Sequence, residues 1–279
     1  MIGSQMNHRR RDTVSPRTGR SQMKVMGVLN ATPDSFWVDS RFDVTALAIA
    51  AGRRMFEAGA WAVDVGGEST RPGATPVSID EERNRVLPVV AGLAHLGTVS
   101  VDTRNREVAE EAVRAGAGII NDVSGALWDV AGRLGVGYVS MHAHTVPVLA
   151  EGFPDYDDVV SDVTGFVTGV AQMAAAGGAA PVWIDPGIGF GKSPRHNLEL
   201  LRRLPELCDH GFPVLVGVSR KSFVGNVTGR AVDGRLAGSL AVVAPAWSAG
   251  VDVIRVHDVV ETMDTIAMLQ AIWGSPPVP

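Results

Sequence analysis

The chain has 279 residues, 46% of them hydrophobic and 20% charged, with 32 glycines, one cysteine and a net charge of −5. That length and apolar share suit one large α/β domain with a sizeable core, and exclude a fibrous or disordered chain. No run of 18 uninterrupted apolar residues occurs, so no membrane span is expected. The lone Cys208 excludes an internal disulfide and points to a reducing cytoplasm, with the thiol as a small core group.

Residues 1–22 hold five arginines and one aspartate, net +4, which leaves −9 on residues 23–279. The first segment reads as a basic, disordered leader without the apolar stretch of a secretory signal. Residues 23–279 read as a single domain. An acidic body is a poor partner for nucleic acid. An anionic substrate must therefore be met by a local cluster of positive groups.

From Lys24 onward, eight short apolar runs alternate with segments of helical period. The first run is "KVMGVLN" (24–30), followed by the polar turn-forming stretch "NATPDSFWVDSRFD" and a helix candidate over Val44–Ala58. "AVDVGGE" (62–68) precedes a helix over Glu81–His95, and "TVSVDT" (98–103) precedes one over Arg106–Ala115. "IINDV" (119–123) has only "DVAGRLG" after it, the weakest repeat. "GYVSMH" (137–142) leads to Tyr156–Ala176, and "VWIDPG" (182–187) to Asn197–Leu207. "VLVGVS" (214–219) leads to Gly238–Ser248, and "VIRVHD" (253–258) to Val259–Trp273. Near-continuous apolar strands joined by helices indicate a parallel sheet buried on both faces. Eight of them predict a TIM (β/α)8 barrel, with a doubly wound open sheet as the alternative.

Each run ends in something polar: Asn30, Glu68, Asp102, Asn121, His142, Asp185, Ser219 with Lys221, and Arg255 with His257. In a parallel barrel all strand C-termini open on one face, so these groups converge on one mouth. Asp or Asn at a strand end is often a helix cap. Glu, His, Lys and Arg make poor caps, so capping alone does not account for the set.

Two chemistries separate. Ser219, Lys221, Arg255 and His257, with Arg71 in the second loop, suit a phosphate or diphosphate. Asn30 offers a neutral oxygen to a Mg²⁺ riding on that diphosphate, because Mg²⁺ takes few protein ligands. Asp102, Asn121 and Asp185 form an acidic and amide set that needs donors. Asp185 matches the parallel donors of an amino group beside a ring N–H, Asn121 and Lys221 complete the fence, and Asp102 stabilises positive charge on the ligand. "DPGIGFGKS" fails as a P-loop, since the first required glycine falls on Pro186. His142 and His144 lack the further ligands of a metal site, and His142 reads as an ordinary strand-end residue.

The motifs "NATPDSF", "GESTRPG", "SVDT", "NDVSG", "DPGIGFGKS..HN", "LVGVSRKSFVG", "GRLAGSLA" and "IRVHDV" resemble, in order and spacing, those of the dihydropteroate synthase family. The resemblance runs from about Lys24 to Trp273. It implies a TIM barrel that joins 6-hydroxymethyl-7,8-dihydropterin diphosphate to p-aminobenzoate in folate biosynthesis. It places the pterin on Asp102, Asn121, Asp185 and Lys221. The diphosphate, with Mg²⁺, falls on Asn30, Thr70, Arg71, Ser219, Arg255 and His257. Phe36, Thr70, Pro72, Phe190, Lys221 and Ser222 line the p-aminobenzoate side, where sulfonamides also bind. Asp34, Arg71, Asp102 and Lys221 are the implied catalytic residues, and a homodimer is implied as well.

Two loops depart from the family. After "TPDSF" the family continues roughly Ser-Asp-Gly-Gly, whereas this chain has Trp37-Val38-Asp39-Ser40; the run Ala143-His144-Thr145-Val146 also replaces a glycine. Glycine loss removes permissive backbone from a loop that closes and reopens. Two readings follow: a working synthase with altered loops, or a paralogue that keeps the barrel and its ligand sites outside folate synthesis. A related methyltransferase using methyltetrahydrofolate is a third class, and it would not need the anion clamp of "SRKSF" and "RVHDV".

Overall fold

A computed structural model describes residues 22–32, 41–68, 77–144 and 153–274. Its first half alternates β1 (Lys24–Asn30), α1 (Arg41–Glu57), β2 (Ala62–Gly66), α2 (Ile79–Leu93), β3 (Thr98–Asp102), α3 (Arg106–Arg114), β4 (Ile119–Asp122) and α4 (Trp128–Leu134). The second half adds β5 (Gly137–Met141), α5 (Val159–Ala176), β6 (Val182–Asp185), α6 (Pro194–Arg202), α7 (Leu204–Cys208), β7 (Leu215–Gly217), α8 (Ser222–Thr228), α9 (Leu236–Ala249), β8 (Val253–Val256) and α10 (Val259–Trp273).

The strands are parallel and hydrogen-bond in the order β6-β5-β4-β3-β2-β1-β8-β7. β6 meets β7 through a parallel bridge between Ile184 and Val214, where the Ile184 N–H donates to the Pro213 carbonyl at 3.0 Å. The ring of strands thereby closes. A doubly wound sheet would reverse its strand order at a switch point, and no reversal is present, so the open-sheet alternative falls.

All eight expected strands form, most losing a residue or two at the C-terminal end to the loop that follows. β7 shrinks most, to Leu215–Gly217. The single helix expected over Asn197–Leu207 is two, α6 and α7. Pro205 sits in the first turn of α7, where its missing N–H costs nothing, but it cannot continue α6. The weak fourth repeat does form α4, which ends on Gly135 in the left-handed conformation (φ 66°). The sequence reading has no helix between Ser219 and Gly238, where the structure has α8. It is seven residues long and lies in the connection after β7.

α5 has the length and apolar character of a membrane span. Its buried side (Val160, Val163, Val167, Ala171, Ala174) belongs to the main core, while Phe166 and Met173 are exposed. That one-sided burial marks it as a core helix of the barrel wall. Cys208 is buried, as expected of a small core residue.

Inside the ring, Met26, Ala62, Ile119, Val139, Trp183, Leu215 and Val253 pack together as an apolar plug. Strand side chains alternate faces, so the inward residue two positions further along each strand stands one layer nearer the mouth. That next layer reads Val28, Asp64, Asn121, Met141, Asp185, Gly217 and Arg255, with Asp102 two residues beyond buried Ser100 on β3. A barrel of this size has no water-filled lumen. A polar layer directly above an apolar plug is therefore the floor of a pocket.

Candidate active site

The floor is built across the barrel. The Arg255 guanidinium on β8 donates from Nε to Asp64 Oδ2 and from Nη2 to Asp102 Oδ2, both at 2.6 Å. Asn121 Nδ2 on β4 donates to the same Asp64 oxygen at 2.8 Å. β2 neighbours neither β4 nor β8, so these bonds run through the interior. Asp64 is fully buried, and Asn121 and Asp185 are nearly so. Burial pushes the Asp102 carboxyl up to about 7, with Arg255 opposing and Asp64 and Glu82 reinforcing the shift. For Arg255 burial opposes the charge, but Asp64 and Asp102 outweigh it and hold the guanidinium firmly protonated. Asn121 Oδ1 and Asp64 Oδ1 are buried without a hydrogen-bond partner among the described residues. Unfilled buried acceptors are costly, so a floor carrying two of them suits a ligand that brings donors.

Asp185, at the end of β6, accepts from the Gly187 N–H at 2.7 Å. Burial raises its pKa, and Lys221 is the foremost influence pulling it back. Lys221 follows β7. Its ammonium donates to the Ile188 carbonyl and sits 4.5 Å above the Phe190 ring. Burial lowers Lys221 to about 8, against the pull of Asp185. Gly217 lies beside this cation: a Cβ there would stand 3.6 Å from Lys221 Nζ and 3.8 Å from the Arg255 stem, both ordinary contacts.

Beside this floor, Ser219 Oγ accepts the His257 N–H at 3.2 Å and lies 3.1 Å from His257 Nδ1. Arg220 between Ser219 and Lys221 has φ 58°, rare for a side chain larger than Asn. Its backbone N–H donates to Ser239 Oγ at 2.9 Å and its guanidinium pairs with Asp258. This anchored turn aims Arg220 outward and leaves Ser219 and Lys221 on the mouth side. Asn30 stands at the end of β1, half-buried, its Oδ1 close to Gly66 on β2, as is the Asp102 carboxylate. Phe190 packs with Val123 and Met141, and Ser222 opens α8 and is exposed.

Two of the strand-end groups serve the frame. Glu68 is engaged by Arg104 through two bonds of 2.9 and 3.0 Å, tying the β2 loop to the β3 loop. His142 is packed edge-on to Phe166, with ring centroids 5.2 Å apart, and burial holds it neutral by lowering its pKa to about 3. Asp34, Phe36, Thr70, Arg71 and Pro72 lie outside the described residues, as do most of the departing residues of both loops.

Four residues went unassigned in the sequence. Asp64 sits in mid-strand, where its two-residue offset from inward Ala62 was the available signal. Buried Glu82 on α2 accepts from Thr103 Oγ1 at 2.7 Å and from Asn105 Nδ2 at 2.5 Å, bracing the loop after Asp102. Lys192, inside the motif that fails as a P-loop, and Asn197, four residues beyond it, brace the loop after Asp185. Lys192 donates to the carbonyls of Gly187 (2.9 Å) and His142 (3.0 Å).

Residues 26–257 match the family model described as a pterin binding enzyme. The dihydropteroate synthase of Escherichia coli K12 is 42% identical over 260 residues, covering 90% of this chain and 92% of that protein. Two solved structures of Xanthomonas albilineans dihydropteroate synthase are similar. The one with 4-aminobenzoic acid has a TM-score of 0.83 at 42% identity, covering 91% and 94% of the two chains. The one with 7,8-dihydropteroate has a TM-score of 0.82 at 40% identity, covering 91% and 95%.

Proposed function

The chain belongs to the dihydropteroate synthase family, and from that premise we propose that it joins 6-hydroxymethyl-7,8-dihydropterin diphosphate to p-aminobenzoate, releasing diphosphate. The observation that carries this reading is the meeting of Asp64, Asp102, Asn121, Asp185, Lys221 and Arg255 on one floor.

The pterin ring brings an amino group and ring N–H donors. Asp185 accepts from them, Lys221 donates to the ring's carbonyl side, and Asn121 supplies its unpaired Oδ1. Arg255 and Lys221 offset the carboxylates until the ligand's donors arrive. Ser219 and His257, beside Arg255, receive the diphosphate oxygens, and Asn30, Thr70 and Arg71 complete the diphosphate set. The bond between the pterin methylene and the diphosphate oxygen breaks first, and its electron pair leaves with the diphosphate. Asp102 stabilises the resulting cationic pterin, since a preorganised carboxylate in a dry site favours positive charge. The p-aminobenzoate amine then forms the new C–N bond and loses a proton. Phe36, Pro72, Phe190 and Ser222 hold the aromatic acid, and Asp34 joins Arg71, Asp102 and Lys221 as a catalytic residue.

The residues present fit a Mg²⁺ bound chiefly through the diphosphate. Asn30 offers one neutral oxygen, and the described residues contain no cluster of three His, Cys, Asp or Glu that would form a protein cage. Bound there, Mg²⁺ would neutralise charge on the leaving diphosphate. A cytoplasmic homodimer and a separate leader of residues 1–22 complete the proposal. They rest on the family and on the composition of the chain.

Titration calorimetry with the dihydropterin diphosphate and Mg²⁺ tests the pterin half. Saturable binding that is lost in Asp102→Ala is the expected result. Folded wild-type protein that gives no binding heat would overturn the reading.

A further inference from the structure

The segment Gly187–Phe190 carries the ring over which Lys221 sits, and it follows Asp185 directly. Each of its polar backbone groups that bonds is met by a fixed partner. The Gly187 N–H goes to Asp185 Oδ1 (2.7 Å) and the Gly189 N–H to Asn197 Oδ1 (2.7 Å). The Ile188 carbonyl takes the Lys221 ammonium. Lys192 Nζ donates to the Gly187 carbonyl at 2.9 Å, to the Phe190 carbonyl at 3.4 Å, and to the His142 carbonyl of the neighbouring β5 loop at 3.0 Å.

Lys192 is 3% exposed and Asn197 is 2% exposed, so neither is a solvated side chain that happens to lie nearby. Asn197 also donates to the Lys192 and Ser193 carbonyls, both at 3.0 Å, fixing the backbone that carries the lysine. The backbone of the segment is also packed closely against the groups it positions. Gly187 (φ 63°) approaches the His142 carbonyl so closely that a Cβ would fall 1.9 Å from it. A Cβ on Gly189 (φ 83°) would stand 3.0 Å from Lys221 Cδ.

From this geometry we propose that Lys192 is a positioning residue for the pterin site. Its ammonium binds three carbonyls from two loops, much as a small cation would, and sets the segment Gly187–Phe190 at the distance from which Asp185, Lys221 and Phe190 meet the ligand. Burial lowers Lys192 to about 7 against the pull of Asp185, and it is the protonated form, with its three donors, that the carbonyls grip; its charge serves the frame rather than the substrate. A compact ammonium with three donors suits three carbonyls better than a planar guanidinium does. A buried ion is costly unless fully hydrogen-bonded, and the three carbonyls supply those bonds. The inference rests on the proposed synthase reading for the identity of the ligand, but not for the grip itself.

The test compares wild type with Lys192→Met, which keeps the length of the side chain and removes its donors. Amide hydrogen exchange is expected to accelerate in residues 187–190 and the adjoining 142–144, with the distant β1 and β2 unchanged. With 6-hydroxymethyl-7,8-dihydropterin diphosphate as the probe, KM is expected to rise at least about tenfold while kcat stays within about threefold, since small misplacements at a site carry penalties of that order. A structural role alone would lower Tm without that split. If Lys192→Met does not fold, Lys192→Gln, which retains two donors on a shorter stem, is assessed by the same two readouts. Unchanged local exchange, or accelerated exchange with unchanged KM, overturns the proposal. Should wild type itself fail to bind the probe, the synthase reading fails, and the exchange comparison alone decides whether Lys192 holds the segment.

Discussion

Replacing Asp185 by asparagine changes almost nothing in shape and reverses one group's hydrogen-bonding character. The side chain is 4% exposed, and one carboxylate oxygen already accepts the Gly187 N–H at 2.7 Å. Asparagine can keep that bond through its oxygen, which turns its amide NH2 toward Lys221 and the ligand, where donors would then face donors. One charge-assisted bond to the pterin, worth about 1.5–3 kcal/mol, is lost and a donor faces a donor in its place, so the affinity loss is at least about 2 kcal/mol, more than one decade in Kd.

Stability should move far less. Burial raises the Asp185 pKa, so the ionised carboxylate costs the fold stability once pH exceeds its unfolded value near 3.8. Asparagine escapes that cost while Lys221 loses its partner, and the two effects oppose. Tm should therefore stay within about 3 °C of wild type. Calorimetry with the dihydropterin diphosphate, paired with a thermal melt, reads both quantities. Wild-type affinity in Asp185→Asn would refute the reasoning, because the carboxylate would then not face the ligand's donors.

Arg255→Met leaves Asp64 and Asp102 buried without their shared cation and should cost about 3–5 kcal/mol in denaturant unfolding at pH 8. The Asp102 carboxyl, already pushed up to about 7 by burial, would lose the cation that opposes that shift and bind its proton still more tightly in the folded state, so the loss should shrink as pH falls from 8 toward 5; a loss independent of pH would contradict the pairing. Gly187→Ala should abolish pterin binding, because no backbone adjustment short of moving the β5 loop relieves a contact of 1.9 Å with the His142 carbonyl; retained binding would show that the two loops separate easily. Grafting Ser-Asp-Gly-Gly in place of Trp37-Val38-Asp39-Ser40 should leave kcat/KM within about threefold, less than 1 kcal/mol of transition-state energy. A tenfold rise would instead identify the first loop as the element limiting turnover.

The barrel was legible because its strands are apolar on both faces and its helices carry their own period, two signals that survive in a single sequence. Strand ends were less so, since the last inward residue and the first loop residue look alike when both are polar. The convergence of Asp102, Asn121, Asp185, Lys221 and Arg255 followed from topology alone. Their pairing did not. Arg255 reads from the sequence as part of an anion clamp, and the structure adds that its guanidinium spans Asp64 and Asp102. Asp64 lies inside an apolar run instead of at its end, so a search for polar strand ends passes over it. The same search picked up Glu68, whose carboxylate is engaged by Arg104. Lys192 was hidden differently. Its partners are backbone carbonyls 2 to 50 residues away, and carbonyls leave no mark in a sequence.

Diphosphate release by the purified protein, given the dihydropterin diphosphate and Mg²⁺ with and without p-aminobenzoate, bears most directly on the synthase reading. Release that rises with p-aminobenzoate, matched mole for mole by dihydropteroate, is the predicted result. Folded protein that binds the pterin and releases no diphosphate on addition of p-aminobenzoate would contradict it.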